Sequence, residues 1–313
     1  MNRINIKLIS ICFVIILSLF ITSCAQSENS VVNASEVSTA SGSTGDTVQP
    51  TTASVSSKKT ENERTKTLVI AHRGFSGQYP ESTIQAFKAA FNSGFDAIEC
   101  DVWEAYNGDL MIQHDPTTTR TTGKKQYIWK VTSKTRKKYP IVKGDNVEKF
   151  NSTKLIIPTL TQVLKITRKN NGFLWLHIKN IKNDKKYRLS KKGEKKIIRM
   201  LKKYKLLKRT LIFGGKKYVA PFLNKGLKTG LFTAPKNKKQ AIEAIKWCKK
   251  KHVTTIVFSN MKKLKLFSNR KRLSKVLKKK KIKFGVYRVD THKQYRYLCR
   301  IGARFAMSNY DIR

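Results

Sequence analysis

Apolar residues along this chain come in short runs that alternate between two periods. Leu68-Val-Ile-Ala is a continuous apolar run suited to a buried strand, and it stops at His72-Arg73-Gly74. Ile84, Phe87, Ala90 and Phe91 then recur at helical spacing, with Ser82 or Thr83 in front as a cap and Asn92-Ser93-Gly94 behind as a stop. Residues 95–102 return to a strand pattern, so the chain opens as a βαβ unit. Asn107-Gly108-Asp109 then turns it into a further short strand over 110–114.

Residues 117–157 break the rhythm with Thr and Lys clusters and no helical stripe, which predicts an insertion over one face of the domain. Beyond them the periodicity resumes. It predicts helices over 159–169, 191–203, 238–250 and 293–299, and another where Leu273, Val276 and Leu277 form a stripe. Strands are predicted over 173–178, 210–213, 227–232, 255–258, 282–289 and 304–307. Alternation of this kind indicates a parallel sheet, and eight such units close a (β/α)8 TIM barrel. No internal sequence repeat accompanies it.

Two stretches stand outside the barrel pattern. Met-Asn-Arg-Ile-Asn-Ile-Lys precedes an apolar run over 8–21 and then Thr22-Ser23-Cys24, the layout of an export signal. Ile21-Thr22-Ser23-Cys24 resembles the bacterial lipobox, which makes Cys24 the expected lipidation site and places the protein on the extracytoplasmic face of the cell membrane. An uncleaved anchor or an ordinary signal peptide are the competing readings. The segment up to residue 66 is rich in Ser, Thr, Val, Asn and Gln without apolar periodicity, so it cannot bury enough surface to offset chain entropy. The expected organisation is a signal peptide over 1–23, a disordered tether over 24–66, and a barrel over 67–313 that carries the insertion.

Charge changes the picture further. The 313 residues include 66 Lys and Arg against 19 Asp and Glu, a net charge of +47. Residues 67–116 run the other way, with two cations, Arg73 and Lys88, against seven anions, Glu81, Asp96, Glu99, Asp101, Glu104, Asp109 and Asp115. An acidic segment inside a very basic protein points to a bound cation, and the basic remainder to a polyanionic partner. For any single lysine, a solvated surface is the plainer reading. The five cysteines, an odd number without metal-type spacing, imply no disulfide framework. The chain lacks a stacking-aromatic or recognition-helix signature, so no specific nucleic acid is expected, and nothing predicts a protein partner.

In a barrel, reacting side chains sit at the C-terminal ends of the strands. His72 and Arg73 fall at such an end. So do Glu99 and Asp101, whose i, i+2 spacing puts both carboxylates on one face of a strand with Cys100 turned away. His114 and Asp115 end the next strand. Two carboxylates on one inward face repel each other unless a hard cation lies between them, so one divalent ion, Mg²⁺ or Ca²⁺, is the natural occupant.

The series His72-Arg73-Gly74, Pro80-Glu81-Ser82-Thr83, Glu99-Cys100-Asp101 and His114-Asp115 resembles the glycerophosphodiester phosphodiesterase family in order and spacing. The likeness spans residues 67–310 and is strongest over 68–116. It implies a (β/α)8 barrel with a small insertion, here 117–157, and a helix entry at Ile157-Pro158-Thr159-Leu160. It also implies hydrolysis of glycerophosphodiesters to an alcohol and glycerol phosphate. The substrates would be phospholipid head groups, lysophospholipids or glycerol-phosphate polymers. On this resemblance His72 and His114 are the general acid and base, Arg73 and Lys179 contact the phosphate, Glu99 and Asp101 are metal ligands, and Glu81 supports them. A histidine pair exchanges protons near neutral pH, and a guanidinium fork grips two phosphate oxygens. The attacking group is the substrate's own glycerol hydroxyl or a water.

The chain departs from the family in its second half. The family's third metal-binding carboxylate lies in an Ile-Glu-Ile-Lys-type strand, and Leu176-His177-Ile178-Lys179 has His177 in its place. A neutral imidazole still ligates, but it removes one negative charge and favours softer ions, which adds Mn²⁺ and Zn²⁺ as candidates. A Trp-Thr-Val-Asn-like strand becomes Tyr287-Arg288-Val289-Asp290, where Tyr287 can wall the leaving group, and a late Thr-Asp pair becomes Ser308-Asn309. The competing reading is a catalytically impaired cell-envelope lipoprotein that binds wall polyanions through its Lys-rich helices.

Overall fold

The computed structural model describes residues 66–151, 155–180, 189–267 and 269–313. The expected signal segment, Cys24 and all of the tether except Lys66 lie outside the described residues. Strands β1 (Leu68–Ala71), β2 (Ala97–Glu104), β3 (Leu110–Ile112), β4 (Leu174–Ile178), β5 (Thr210–Gly214), β6 (Lys228–Thr233), β7 (Thr255–Phe258), β8 (Lys283–Tyr287) and β9 (Phe305–Ser308) form one sheet. All but β3 run parallel, and β1 pairs with both β2 and β9, which closes the ring into an eight-stranded barrel.

Helices α1 (Ile84–Asn92), α2 (Leu160–Lys169), α3 (Lys191–Lys203), α4 (Lys216–Val219), α5 (Lys238–Lys250), α6 (Arg270–Lys279) and α7 (His292–Arg300) follow the barrel strands in turn. The sequence pattern left α4 unread because it is a single turn. Polar side chains start the longer helices: Thr83, Thr159, Ser190, Asn237 and Thr291 each accept a bond from the first turn. Each such cap is worth about 1 kcal/mol. Six of these helices end on a left-handed residue just past the last turn, Gly94, Asn171, Lys205, His252, Lys281 and Gly302. Among the described residues, no helix is long and apolar enough to cross a membrane.

The strand period of two builds the site. One face of the strands packs under the helices. The other gathers Ile70, Ala97, Trp175, Leu211, Phe213, Val257, Phe305 and Met307 into a second buried cluster, the barrel interior. Continuing each strand by two residues from that apolar floor gives Glu99 and Asp101 above Ala97, His177 and Lys179 above Trp175, His72 above Ile70, and Asn309 above Met307. Gly285 keeps the floor compact, since a Cβ there would lie 2.1 Å from the Phe305 carbonyl oxygen and 2.4 Å from its ring.

The strand expected over 110–114 needs correction. It spans Leu110–Ile112 and pairs antiparallel with β2 instead of joining the barrel. The reason is length: β2 continues to Glu104, beyond the barrel rim, and the Asn107–Asp109 turn folds the chain back along it. Gln113 N–H then bonds the Asp101 carbonyl oxygen at 3.1 Å. His114 therefore reaches the mouth from above, at the end of a hairpin.

Residues 117–151 and 155–157 contain one-turn and 3-10 segments and a core of their own, in which Ile128, Trp129, Val131, Ile141, Leu155 and Ile157 pack on Trp103 and Met111 of the hairpin. Asn146 Nδ2 ties this region to the loop after β1 by a 3.2 Å bond to the Ser76 carbonyl oxygen. Cys100, Cys248 and Cys299 are unpaired thiols.

Candidate active site

His72 is the first residue beyond β1, and its side chain is buried. Its Nδ1 lies 2.6 Å from Asn309 Oδ1, and its ring meets the Tyr287 ring edge-on at 4.6 Å. Burial, with the neighbouring Arg73 charge, pushes its pKa down to about 3, so the imidazole is neutral at physiological pH.

Arg73 adopts a left-handed backbone with φ of 56°. Its amide donates to Glu99 Oε2 at 3.0 Å, Nη1 to both Glu81 oxygens at 3.0 Å, and Nη2 to Tyr287 Oη at 3.3 Å. Its Nε lies 3.7 Å from Asp101 Oδ2. Burial opposes its charge, but the Glu81 and Asp101 carboxylates outweigh that and raise its pKa.

Glu99 and Asp101 are each only 1% exposed. His177 Nδ1 bonds Asp101 Oδ1 at 2.8 Å and lies 4.0 Å from Glu99 Oε1, and Lys179 Nζ stands 3.5 Å from Asp101 Oδ1. Burial and then the Asp101 charge drive the Glu99 pKa well up. Burial acts the same way on Asp101, but Lys179 and the His177 bond hold it well below the carboxylate range. The pair thus resists carrying two charges at once without further positive charge. Burial lowers the His177 pKa and keeps its ring in the neutral, ligating form.

Ligand atoms of Glu99, Asp101 and His177 lie within 4.8 Å of one another, and Asp101 Oδ2 is buried without a hydrogen-bond donor. Two buried carboxylates, one of them with an orphaned oxygen, and an imidazole fit one divalent cation. The Phe213 ring stacks on His177 at 4.6 Å and fixes its plane.

His114 stands across the mouth, one-third exposed, with Nδ1 2.7 Å from Asp115 Oδ1. Its environment includes a residue that the sequence reading missed. Arg120, from the one-turn helix Thr119–Thr122, donates through Nε to Asp115 Oδ2 at 2.6 Å and through both Nη atoms to Glu81 at 2.7 and 2.9 Å. An ionic chain therefore runs Arg73, Glu81, Arg120, Asp115, His114. Arg120 carried no periodic signal, because the contact that matters joins residues 39 apart in sequence. Asn309 was visible only as a departure from the family pattern, although the same strand-end rule that selected His72 points to it. Every residue singled out from Glu81 to Tyr287 lies around this mouth, together with His72 and Arg73. Cys24 lies outside the described residues.

Comparison with known proteins agrees with this geometry. The model of the glycerophosphoryl diester phosphodiesterase family matches residues 72–310. A glycerophosphodiester phosphodiesterase of Caldanaerobacter subterraneus subsp. tengcongensis is 35% identical over 170 residues, 52% of this chain and 66% of the relative. One of Bacillus altitudinis is 36% identical over 110 residues, 34% of this chain and 43% of the relative. The match thus spans less than two thirds of either relative's length. Two solved structures share the fold. One is an Oleispira antarctica phosphodiesterase in complex with the product sn-glycerol-3-phosphate, with TM-score 0.63, 21% identity, and coverage of 78% of this chain and 93% of that one. The other is a Thermotoga maritima glycerophosphodiester phosphodiesterase, with TM-score 0.62, 19% identity, and coverage of 78% and 95%. The chain belongs to the glycerophosphoryl diester phosphodiesterase family.

Proposed function

We propose that this protein is a metal-dependent phosphodiesterase that hydrolyses glycerophosphodiesters to an alcohol and a glycerol phosphate. The observation that carries the reading is the pair of imidazoles, each with Nδ1 tied to an oxygen acceptor, Asn309 for His72 and Asp115 for His114. That arrangement leaves Nε2 of both rings for proton transfer. His72, neutral and backed by an uncharged amide, takes the proton of the attacking hydroxyl as that oxygen bonds to phosphorus. His114, backed by a carboxylate, gives its proton to the leaving alkoxide as the P–O bond breaks. With water as the attacker the products form directly. With the glycerol's own hydroxyl a cyclic phosphate forms, and water opens it with the two roles exchanged.

Arg73 and Lys179 supply positive charge beside the phosphate. Glu99, Asp101 and His177 would hold the cation, which supplies Lewis acidity at a phosphate oxygen when bound. The sn-glycerol-3-phosphate held by the Oleispira antarctica relative supports a glycerol phosphate product. The sequence over 1–24 supports an exported enzyme anchored to the membrane through Cys24. Recovery of Cys24→Ser in the medium is the expected check, and an unchanged membrane fraction overturns it. A polyanionic envelope substrate suits the outer helices: α3 and α5 carry twelve Lys and Arg against Glu194 and Glu243, while α1 carries Lys88 alone.

The test is release of alcohol from glycerophosphocholine and from a glycerol-phosphate oligomer by the purified protein with Mg²⁺, Ca²⁺, Mn²⁺ or Zn²⁺. Turnover that needs a divalent ion and is lost in His72→Ala is the expected result. No turnover with any ion, or turnover unchanged in His72→Ala, overturns the reading. His177→Glu gives an independent readout. Its thermal midpoint should rise more with Ca²⁺ than the parent protein's does, and an unchanged response removes His177 from the ligand set.

A further inference from the structure

Beside the imidazole pair, a cavity of about 340 Å³ opens between the barrel mouth and the inserted segment. His72, Arg73 and Tyr287 form its inner wall. Asp145 of the insertion and Arg288, the residue after β8, lie on its outer walls. Among the described residues the other cations at the mouth are engaged by carboxylates: Arg73 by Glu81, Arg120 by Glu81 and Asp115, and Lys179 by Asp101. Among the described residues Arg288 has neither a hydrogen bond nor an ion pair, and the same holds for Asp145. The two lie on the same cavity without meeting.

The backbone adds a second observation. Among the described residues most left-handed non-glycine residues sit past a helix end or in an exposed turn, but Arg288 directly follows the last residue of β8 with φ of 59°, and Arg73 lies two residues past β1 with φ of 56°. Arg288 is an exposed cation without a partner of its own, on the wall of the cavity that His72 and Arg73 also line, which leaves its charge available to a ligand there. The lining is mainly polar, which suits neither an acyl chain nor a choline methyl group.

We propose that this cavity receives the leaving alcohol and that Arg288 binds a second anionic group on it, so the substrate is a phosphodiester whose alcohol carries its own phosphate or carboxylate. The inference rests on the phosphodiesterase reading above. Asp145 accepts hydrogens from a hydroxyl or ammonium on the same alcohol. A glycerol-phosphate polymer offers a second phosphate with hydroxyls, and a serine head group offers a carboxylate with an ammonium.

The experiment measures kcat/KM for a two-phosphate glycerol-phosphate oligomer, glycerophosphoserine and glycerophosphocholine. The parent protein should favour at least one anionic substrate over the choline ester. In Arg288→Gln that preference should fall about tenfold, mainly through KM, with partial rescue in Arg288→Lys. Arg288→Gly should lose the preference equally, and because glycine suits a φ of 59° that loss would not reflect misfolding. If Asp145→Asn weakens only glycerophosphoserine, the occupant is an amino-acid head group. If it spares that substrate and Arg288→Gln affects only the oligomer, the occupant is the polymer. Either outcome supports the subsite. Choline-ester turnover with a preference unchanged in both Arg288→Gln and Arg288→Gly overturns it and leaves the phosphodiesterase standing. No turnover of any of the three substrates overturns the parent reading itself.

Discussion

On the β1–β2 side of the barrel mouth, Arg73, Glu81, Asp101, Asp115 and Arg120 are held by ion pairs of 2.6 to 3.7 Å. On the flanking strand ends, β4 beside β2, β9 beside β1 and β8 beside β9, His177, Tyr287 and Asn309 are neutral, and each grips one residue of the β1–β2 side: His177 holds Asp101, Tyr287 holds Arg73 and Asn309 holds His72. Aromatic rings back the neutral side, with Phe213 and Phe232 against His177 and Phe232 against Tyr287. The division separates two tasks. Most of the paired charge lies where protons and phosphate are handled, with Lys179 reaching Asp101 from the β4 end, while His177, Tyr287 and Asn309 orient their partners through hydrogen bonds and rings.

The largest expected effect lies on the charged side. His114→Ala should lower kcat by about 10² to 10⁴ with the circular dichroism spectrum unchanged, as removal of a positioned acid does. Asn309→Ala, which removes an orienting bond, should cost about tenfold to a hundredfold less than that. Equal losses in the two variants would break the distinction between the sides.

The next effect is on stability. The His72 pKa falls from 6.5 to about 3 on folding, so the unfolded chain takes up a proton below pH 6.5 that the folded chain refuses. The contribution is therefore present above pH 6.5 and is lost as pH falls from 6.5 towards 3, at about 1.4 kcal/mol per pH unit. Urea titrations between pH 7 and pH 4 should show this slope in the parent protein and a shallower one in His72→Gln. Identical slopes would mean that His72 is not neutral in its pocket.

Arg120 comes third. Its side chain is 45% exposed, so loss of its ion pairs should change stability by less than about 1 kcal/mol. Arg120→Ala should nonetheless lower kcat about tenfold, because Glu81 and Asp115 lose a common partner and with it their hold on Arg73 and His114. Arg120→Lys, which cannot grip Glu81 through two nitrogens, should rescue only part of the loss. A large fall in thermal midpoint with kcat preserved would make Arg120 a structural link only.

How legible the molecule was follows the same division. The barrel strands were readable because buried parallel strands are apolar runs, and Glu99 and Asp101 were readable because a strand face repeats every second residue. Arg120 was not, because ion pairs between distant segments leave no period in the sequence. His177 was readable as a departure, but its fixed plane depends on Phe213, and in sequence Phe213 is one more apolar strand residue. The position of His114 was anticipated for the wrong reason, since a hairpin return looks like a strand end when only local pattern is available. Arg288 gave only its letter, because its backbone conformation is set by the chain around it.

The smallest effect expected is at Phe213, which is almost fully buried and stacks on His177 with the rings 14° from parallel. Phe213→Leu keeps an apolar side chain in the barrel floor but removes the flat surface, and it should cost about 1 kcal/mol of stability from the lost ring contact. If the neutral side acts by orientation, the rise in thermal midpoint on adding Mn²⁺ should also shrink, because an imidazole free to tilt meets a cation in fewer productive orientations. If the Asp101 bond alone fixes the ring, the rise should match that of the parent protein after the baseline loss is subtracted. A normal Mn²⁺ response in Phe213→Leu would therefore assign the orientation of His177 to the charged side and move the boundary between the two tasks by one residue.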